Sequence, residues 1–209
     1  MYIAFEGIEG SGKSLQIENL KKFLQKNNFK YIVTKEPGST EIGSEIRKIL
    51  LNNSFSNMAY FTEIFLYLAD RAEHFNKIIK PNIDKVDIII SDRSLFSTLI
   101  YQGFGRGIDI NLLKQLNNIV VDNIFPDYVF LIDLPVEIGL KRAITREESK
   151  NDNEDRFEME KIEFHKKIRE GYLSFLQNSD NWIIFDGTKS IKELNSNITE
   201  TLKKLLNRS

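Results

Sequence analysis

Eight consecutive residues, Gly7-Ile8-Glu9-Gly10-Ser11-Gly12-Lys13-Ser14, have the types and spacing to hold the phosphates of a nucleoside triphosphate. Their glycines let backbone N–H groups turn inward without Cβ obstruction. A helix starting near Lys13 aims its positive end at the anion. Lys13 then reaches the β and γ phosphates, and the Ser14 hydroxyl meets magnesium. The whole G-x-x-x-x-G-K-[ST] pattern is present, after a strand-like run and before an amphipathic one, which argues against a chance glycine turn. The loop, with Leu15 next in line, predicts ATP and Mg2+ as cofactors and phosphoryl transfer as the chemistry. It leaves the acceptor open.

Further carboxylates and cations lie at the ends of apolar runs. Asp92 and Arg93 follow the strand predicted over 86–90, where ligands of an open parallel sheet collect. Such a carboxylate holds magnesium directly or through water, and such an arginine clamps a phosphate. Glu36-Pro37-Gly38 ends a second strand; it is a turn at the least, and its carboxylate would face the same cleft. Lys13, Arg47, Arg93 and magnesium would balance these acids and the phosphates. Tyr67 and Arg71 stand one helical turn apart, able to grip a flat base by face and edge, although a surface salt link is the plainer use of Arg71. His74 reads as a helix-surface or hydrogen-bonding residue, and His165 as a bland member of a charged helix. Two distant histidines and no cysteine give no protein metal cluster.

The elements that position these residues alternate. Strands are expected at 2–5, 31–33, 86–90, 128–132 and 182–185, each β-branched or aromatic as in parallel strands covered on both faces. Helices are expected after the glycine loop, with Leu15, Leu20, Phe23 and Leu24 as its stripe, then at 42–51 and at 60–79, where Pro81 stops the run. Another carries Leu112, Leu116, Ile119 and Val120, another starts at Pro135, and two close the chain at 162–176 and 191–206. This predicts one doubly wound, three-layer α/β/α domain over 1–209 with a five-stranded parallel sheet. The polar stretch 145–157 has almost nothing apolar and sits between two helices. A solvated loop is its plain reading; in a nucleotide-binding domain it is where a lid would lie.

The bulk numbers agree. In 209 residues, 29 basic and 30 acidic side chains nearly cancel, against a nucleic-acid coat. The absence of cysteine excludes disulfides and thiolate metal sites and fits a reducing compartment. Residues 1–5 show no basic n-region, and no run reaches membrane-spanning length, so neither a cleavable signal nor a membrane partner is expected. A cytoplasmic protein is the reading.

With these motifs in place the chain resembles the bacterial thymidylate kinases. The segments are FEGIEGSGKS, KEPGSTEIGSEIRKILL, TEIFLYLADRAEH, ISDRS, YQGFGRGI, PDYVFLIDLPVEIGLKRA and FDGT, in order along nearly the whole chain. The resemblance implies a P-loop NTPase-type fold with a short lid, transfer of phosphate from ATP to thymidine monophosphate (dTMP), and a homodimer. It implies that Tyr67 stacks on thymine, that Arg71, Thr98 and Gln102 bond the base, and that Arg47 and Arg93 hold the monophosphate. Glu9 approaches the sugar 3′-hydroxyl, Glu36 and Asp92 surround magnesium and the reacting phosphates, and Asp186-Gly187-Thr188 borders adenine. Gly10 follows Glu9 where one type of member has a basic residue, so the catalytic arginine is expected in the lid, as Arg146 first or Arg156. Lys35, Ser39, Ser94 and Leu15 depart from the usual residues. The alternatives are a P-loop kinase for another nucleoside monophosphate or a nucleoside and, from a different class, a GTPase or ATPase switch. The latter would want an Asn-Lys-x-Asp motif, which the sequence lacks.

Overall fold

The computed structural model describes residues 1–148, 156–157, 159–177 and 179–207, and of 146–148 and 176 the backbone alone. Strands β1 (Tyr2–Glu6), β2 (Tyr31–Lys35), β3 (Ile88–Asp92), β4 (Tyr128–Asp133) and β5 (Trp182–Asp186) form a parallel sheet. Its spatial order is β2-β3-β1-β4-β5. The helical elements are α1 (Lys13–Lys26), α2 (Glu41–Leu51), α3 (Tyr60–His74), α4 (Lys80–Asn82), α5 (Leu95–Thr98), α6 (Ile110–Val121), α7 (Val136–Glu148), α8 (Ile162–Gln177) and α9 (Ile191–Leu206).

Successive strand side chains point to opposite faces, and both faces are covered. Ile3, Phe5, Ile88, Ile90, Phe130 and Ile132 meet Ile17, Leu20 and Leu24 of α1 and Ile198 and Leu202 of α9. On the other face Tyr2 and Ile89 pack with Ile64 and Leu68 of α3, while Val129 and Leu131 pack with Ile168 and Tyr172 of α8. This double burial is why the strand sequences are apolar throughout rather than alternating. The register sets Phe5 beside Asp92, and Asp92 beside Lys35. The carboxyl ends of β1, β2 and β3 therefore finish level, and their following turns share one edge of the sheet.

Four local expectations need correction. The helical run does not stop before Pro81: α3 passes into a π-helical segment, Phe75–Ile79, and then into α4, where proline sits in the first turn. A missing N–H is tolerated there. Strand β3 begins at Ile88, because the Asp87 and Ile88 amides both bond the Lys30 carbonyl and fix the entry. In α6 the buried stripe is Leu113, Asn117 and Val121, whereas Ile119 is 80% exposed. Leu15 is likewise exposed, and Ile17 takes its place in the α1 stripe. A second π-helical segment, Leu99–Gly105, follows α5 and carries Gln102. Among the described residues no helix is long and apolar enough to cross a membrane.

The glycine loop after β1 rests on α7. Gly10 has φ 68, and a Cβ there would stand 1.9 Å from the Gly139 carbonyl oxygen. A Cβ on Gly139 would stand 2.6 Å from the Glu9 carbonyl oxygen. Gly139→Ala is therefore expected to push the loop away and lower stability by about 1–3 kcal/mol, as overpacking does. Urea unfolding checks this, and a wild-type midpoint would show that the contact relaxes freely.

Candidate active site

The glycine loop holds Lys13 by its own backbone. Nζ of Lys13 donates to the carbonyl oxygens of Gly7 (2.9 Å) and Ile8 (3.0 Å) and to Ser11 Oγ (3.2 Å). Burial, with Arg93 nearby, brings its ammonium down to about 8 despite Asp92 and Glu9. A cation so placed is poorly solvated and gains from an arriving phosphate oxygen. Ser14 Oγ donates to Asp92 Oδ2 at 2.7 Å, so a hydroxyl and a carboxylate converge where α1 begins and β3 ends. These hard oxygens suit Mg2+, which takes one or two protein ligands and completes its shell with phosphate and water. A cleft beside them is lined by Gly10–Gln16, Arg142, Gly187, Lys189, Ile191 and Leu194. Arg142, absent from the sequence reading, donates to the Gly187 carbonyl oxygen at 2.9 Å. Asp186 is turned to its own loop, accepting from the Thr188 amide and hydroxyl.

A second cleft contains Glu9, Glu36, Arg47, Tyr67, Arg71, Arg93, Thr98 and Gln102 among its walls. All eight acceptor-side residues from the sequence reading thus meet in one place. Arg93 is decisive in its geometry. Its φ of 74 is left-handed, unusual for a side chain this large, and Ser91 Oγ holds its carbonyl at 2.6 Å. The guanidinium then reaches back over β1 to Glu9 Oε1 (3.0 Å) and the Gly7 carbonyl (3.3 Å), above the Tyr101 ring. Arg47 donates to the Pro37 carbonyl oxygen at 3.0 Å. Gly38, with φ 106, leaves room for it, since a Cβ would stand 2.7 Å from Arg47 Cδ.

Glu36 departs from its expected role. Its Oε2 accepts from Arg71 Nε at 2.8 Å and its Oε1 pairs with His74 Nδ1 at 2.8 Å, all three residues being buried. Both carboxylate oxygens are engaged, so Glu36 anchors Arg71 instead of holding a metal. Arg71 also donates to Thr98 Oγ1 (3.0 Å), Asn117 Oδ1 (2.5 Å) and the Ser94 carbonyl. Its fork is already shared among the protein's own acceptors, and an arriving base would have to compete for it. His74 is a hydrogen-bonding residue, but inside the fold: Nε2 meets Thr34 Oγ1 at 2.7 Å.

The lid expectation also changes. Residues 149–155 lie outside the described residues, as does the Arg146 side chain, although Arg146 belongs to α7. Arg156 is buried and pairs with Glu63 Oε2 at 2.7 Å, while its Nε donates to the Leu50 carbonyl oxygen. Its guanidinium is committed to Glu63 and Leu50 in this arrangement, unlike the free lid cation expected, so Arg146 is the lid arginine carried forward. Phe157, read as the end of a polar lid, is buried against Tyr67 and Tyr101 and lines the acceptor cleft.

Three further residues escaped the sequence. Glu6 is buried at the end of β1, accepting from the Ser94 amide and hydroxyl, Ser97 Oγ and Tyr172 Oη. Burial pushes its carboxyl upward against those bonds and Arg93. Ser94, a departure from the family's usual residue, is thus a Glu6 partner and the N-cap of α5. His165 is fully buried, with Nδ1 3.4 Å from Glu9 Oε2. Its position on a charged helix gave no sign of this, because the Glu9 loop is far away in sequence. Tyr101 Oη donates to Glu9 Oε1.

The comparisons with known proteins follow this geometry. A family model described as thymidylate kinase matches residues 5–198. The chain belongs to the thymidylate kinase family. Thymidylate kinase of Maridesulfovibrio salexigens is 46% identical over 210 residues, covering 97% of each chain. That of a Sulfurihydrogenibium species is 43% identical, covering 97% of this chain and 96% of the relative. The crystal structure of thymidylate kinase from Ehrlichia chaffeensis superposes with a TM-score of 0.76 at 29% identity, covering 97% of this chain and 98% of that one. Thymidylate kinases transfer phosphate from ATP to dTMP, and this chain is such an enzyme. The P-loop fold and activity expected from the sequence are borne out.

The buried thymidylate kinase carboxylates make stability depend on pH. Burial works to raise Glu9, but His165, Arg93 and Lys13 bring it to about 2; burial likewise opposes Arg71 and His74 at Glu36, which also lies at about 2. Both values lie below the ordinary carboxyl value of 4.5. The stabilisation is therefore complete above pH 4.5 and is lost as pH falls towards 2, by roughly 3 kcal/mol per group. Glu36→Gln is expected to flatten this acid loss in urea unfolding measured from pH 6 to pH 2.5, values chosen to span about the carboxyl range. An unchanged slope would mean that Glu36 is not ion-paired.

Proposed function

We propose that the chain transfers the γ-phosphoryl group of ATP to dTMP in a Mg2+-dependent reaction, at the junction of the two clefts. The observation that carries this is their meeting at consecutive residues: Glu9 lines the acceptor cleft and Gly10 the phosphate-loop cleft. A donor phosphate beside Lys13 and an acceptor phosphate beside Arg93 would then be neighbours across one turn of loop.

In this reading Gly7 to Leu15 wrap the ATP phosphates, and Gly187, within the Asp186–Thr188 loop, borders the adenine end with Arg142. Ser14 and Asp92 would hold Mg2+, which neutralises charge on the phosphates when bound. Tyr67 faces the thymine ring, with Arg71, Thr98 and Gln102 at its edge, and Arg47 and Arg93 take the monophosphate. Thr98 Oγ1 already accepts from Arg71, so its own hydrogen is free for an acceptor on the base. Glu9 meets the sugar hydroxyl. The attacking group is already an anionic phosphate and needs no strong base, so Lys13, Arg93 and the lid's Arg146 act by position and charge.

A homodimer completes the proposal. Ile42 and Ile49 of α2, Phe61 and Phe65 of α3 and Ile119 of α6 are exposed, and these helices adjoin one another on one side of the sheet. Apolar exposure of that kind marks a self-association face. A cytoplasmic site of action fits the cysteine-free composition.

A coupled assay with ATP and a panel of nucleoside monophosphates tests the substrate. Turnover should be highest with dTMP and should vanish when Mg2+ is chelated; activity confined to purine acceptors would sink the proposal. Arg93→Ala is expected to lower kcat by about 10²–10³-fold while ATP binding survives. Loss of ATP binding in a folded Arg93→Ala protein would instead place Arg93 on the donor.

A further inference from the structure

Glu63 is among the least accessible carboxylates of the fold, 1% exposed on the first turn of α3. One oxygen, Oε1, accepts from Gln102 Nε2 at 2.7 Å. The other, Oε2, stands 2.7 Å from Arg156 NH2 and 3.6 Å from Arg106 NH2. Arg106 is itself held by Glu160 at 2.5 Å and lies over the Phe164 ring. One carboxylate thus joins the base-reading segment Leu99–Gly105 to the chain that follows the lid.

A primary amide has a donating end and an accepting end, and a carboxylate can only accept. Glu63 therefore admits the Gln102 side chain in one orientation. The reverse would set two acceptor oxygens face to face in a buried site, leaving both unsatisfied. With its amino group on Glu63, Gln102 has its carbonyl oxygen left for whatever occupies the cleft that it lines. A carbonyl oxygen there suits a pyrimidine with N3–H, as in thymine or uracil. Cytosine offers a bare N3 acceptor and would meet it acceptor to acceptor.

We propose that Glu63 is a positioning residue for base selection: it fixes the Gln102 amide so that the cleft accepts a pyrimidine carrying N3–H and rejects cytosine. The same carboxylate pairs with Arg156, next to Phe157 on the cleft wall, so the Gln102 amide and that wall share one anchor. This rests on the reading of the second cleft as the dTMP site.

The test compares kcat/KM for dTMP and dCMP in wild type, Glu63→Gln, Gln102→Leu and the double variant. Glutamine at 63 can donate or accept, so it removes the constraint without changing shape. Glu63→Gln should lower the dTMP-to-dCMP ratio about 10-fold or more, since discrimination of this kind comes from a buried polar group left unpaired. Gln102→Leu should lower it similarly, and Glu63→Gln should add little to Gln102→Leu, as expected when two residues act as a unit. A merely structural Glu63 would lower both substrates alike; an unchanged ratio in a folded variant overturns the proposal, and so does full additivity. Should Glu63→Gln not fold, the wild-type protein with dTMP still decides. The Gln102 side-chain amide protons should be protected from solvent exchange by NMR, and rapid exchange overturns the assignment. Wild-type failure to turn over dTMP would refute the functional reading instead, a separate outcome.

Discussion

Glu9 and Arg93 are far apart in sequence, yet 3.0 Å apart across the end of the sheet. Nearly every other feature of the site depends on how that pair is held. Glu9 is fixed because Gly10 lies tightly against Gly139 of α7, and Arg93 because its left-handed backbone follows the last residue of β3. The parallel register, with Phe5 beside Asp92, brings the two turns together. Without Glu9, Arg93 and Lys13 would face each other as uncompensated buried cations, and the two clefts would lose the residue where they meet. A buried ion pair of this type contributes little net stability by itself, because desolvation offsets attraction. Its role is to fix position.

The fold was legible where burial and backbone chemistry act locally. The three central strands β1, β3 and β4, covered on both faces, and the two partly covered edge strands left five apolar runs, and the glycine loop announced the turn after β1. What was not legible came from contacts across long sequence distances. Glu36 looked like a cleft carboxylate, and it is one in position. Its partners Arg71 and His74 lie a helix away, and only the packing of α3 against the β2 end shows that they consume it. The exchange of Leu112 and Ile119 for Leu113, Asn117 and Val121 arises because a four-residue stripe fits two phases of one helix equally well. Arg156 illustrates the same limit. A polar stretch suggested a lid cation, but Glu63, buried early in α3, captures it.

The site is therefore built in two tiers. Residues facing the clefts are few, and behind them stands a set of buried carboxylates, Glu6, Glu36 and Glu63, each hydrogen-bonded or ion-paired to residues of other elements. Each carboxylate constrains a cleft residue: Glu6 lies behind Arg93 through Ser97 and Tyr172, Glu36 behind Arg71, and Glu63 behind Gln102. Such networks are costly when incomplete and rigid when complete, which suits a reaction governed by placement.

The π-helical segment Leu99–Gly105 bears on how this chain can change over generations. A π segment holds one residue more than the α-helical path it replaces. Loss of a single residue within it would let the helix regularise locally, and the non-helical residues 106–109 before α6 would take up the change. Gln102 would move around the helix and lose its place opposite Glu63. Gain or loss of a codon here therefore disturbs the Gln102–Glu63 pair directly, whereas a substitution that keeps the length leaves the path of the segment in place.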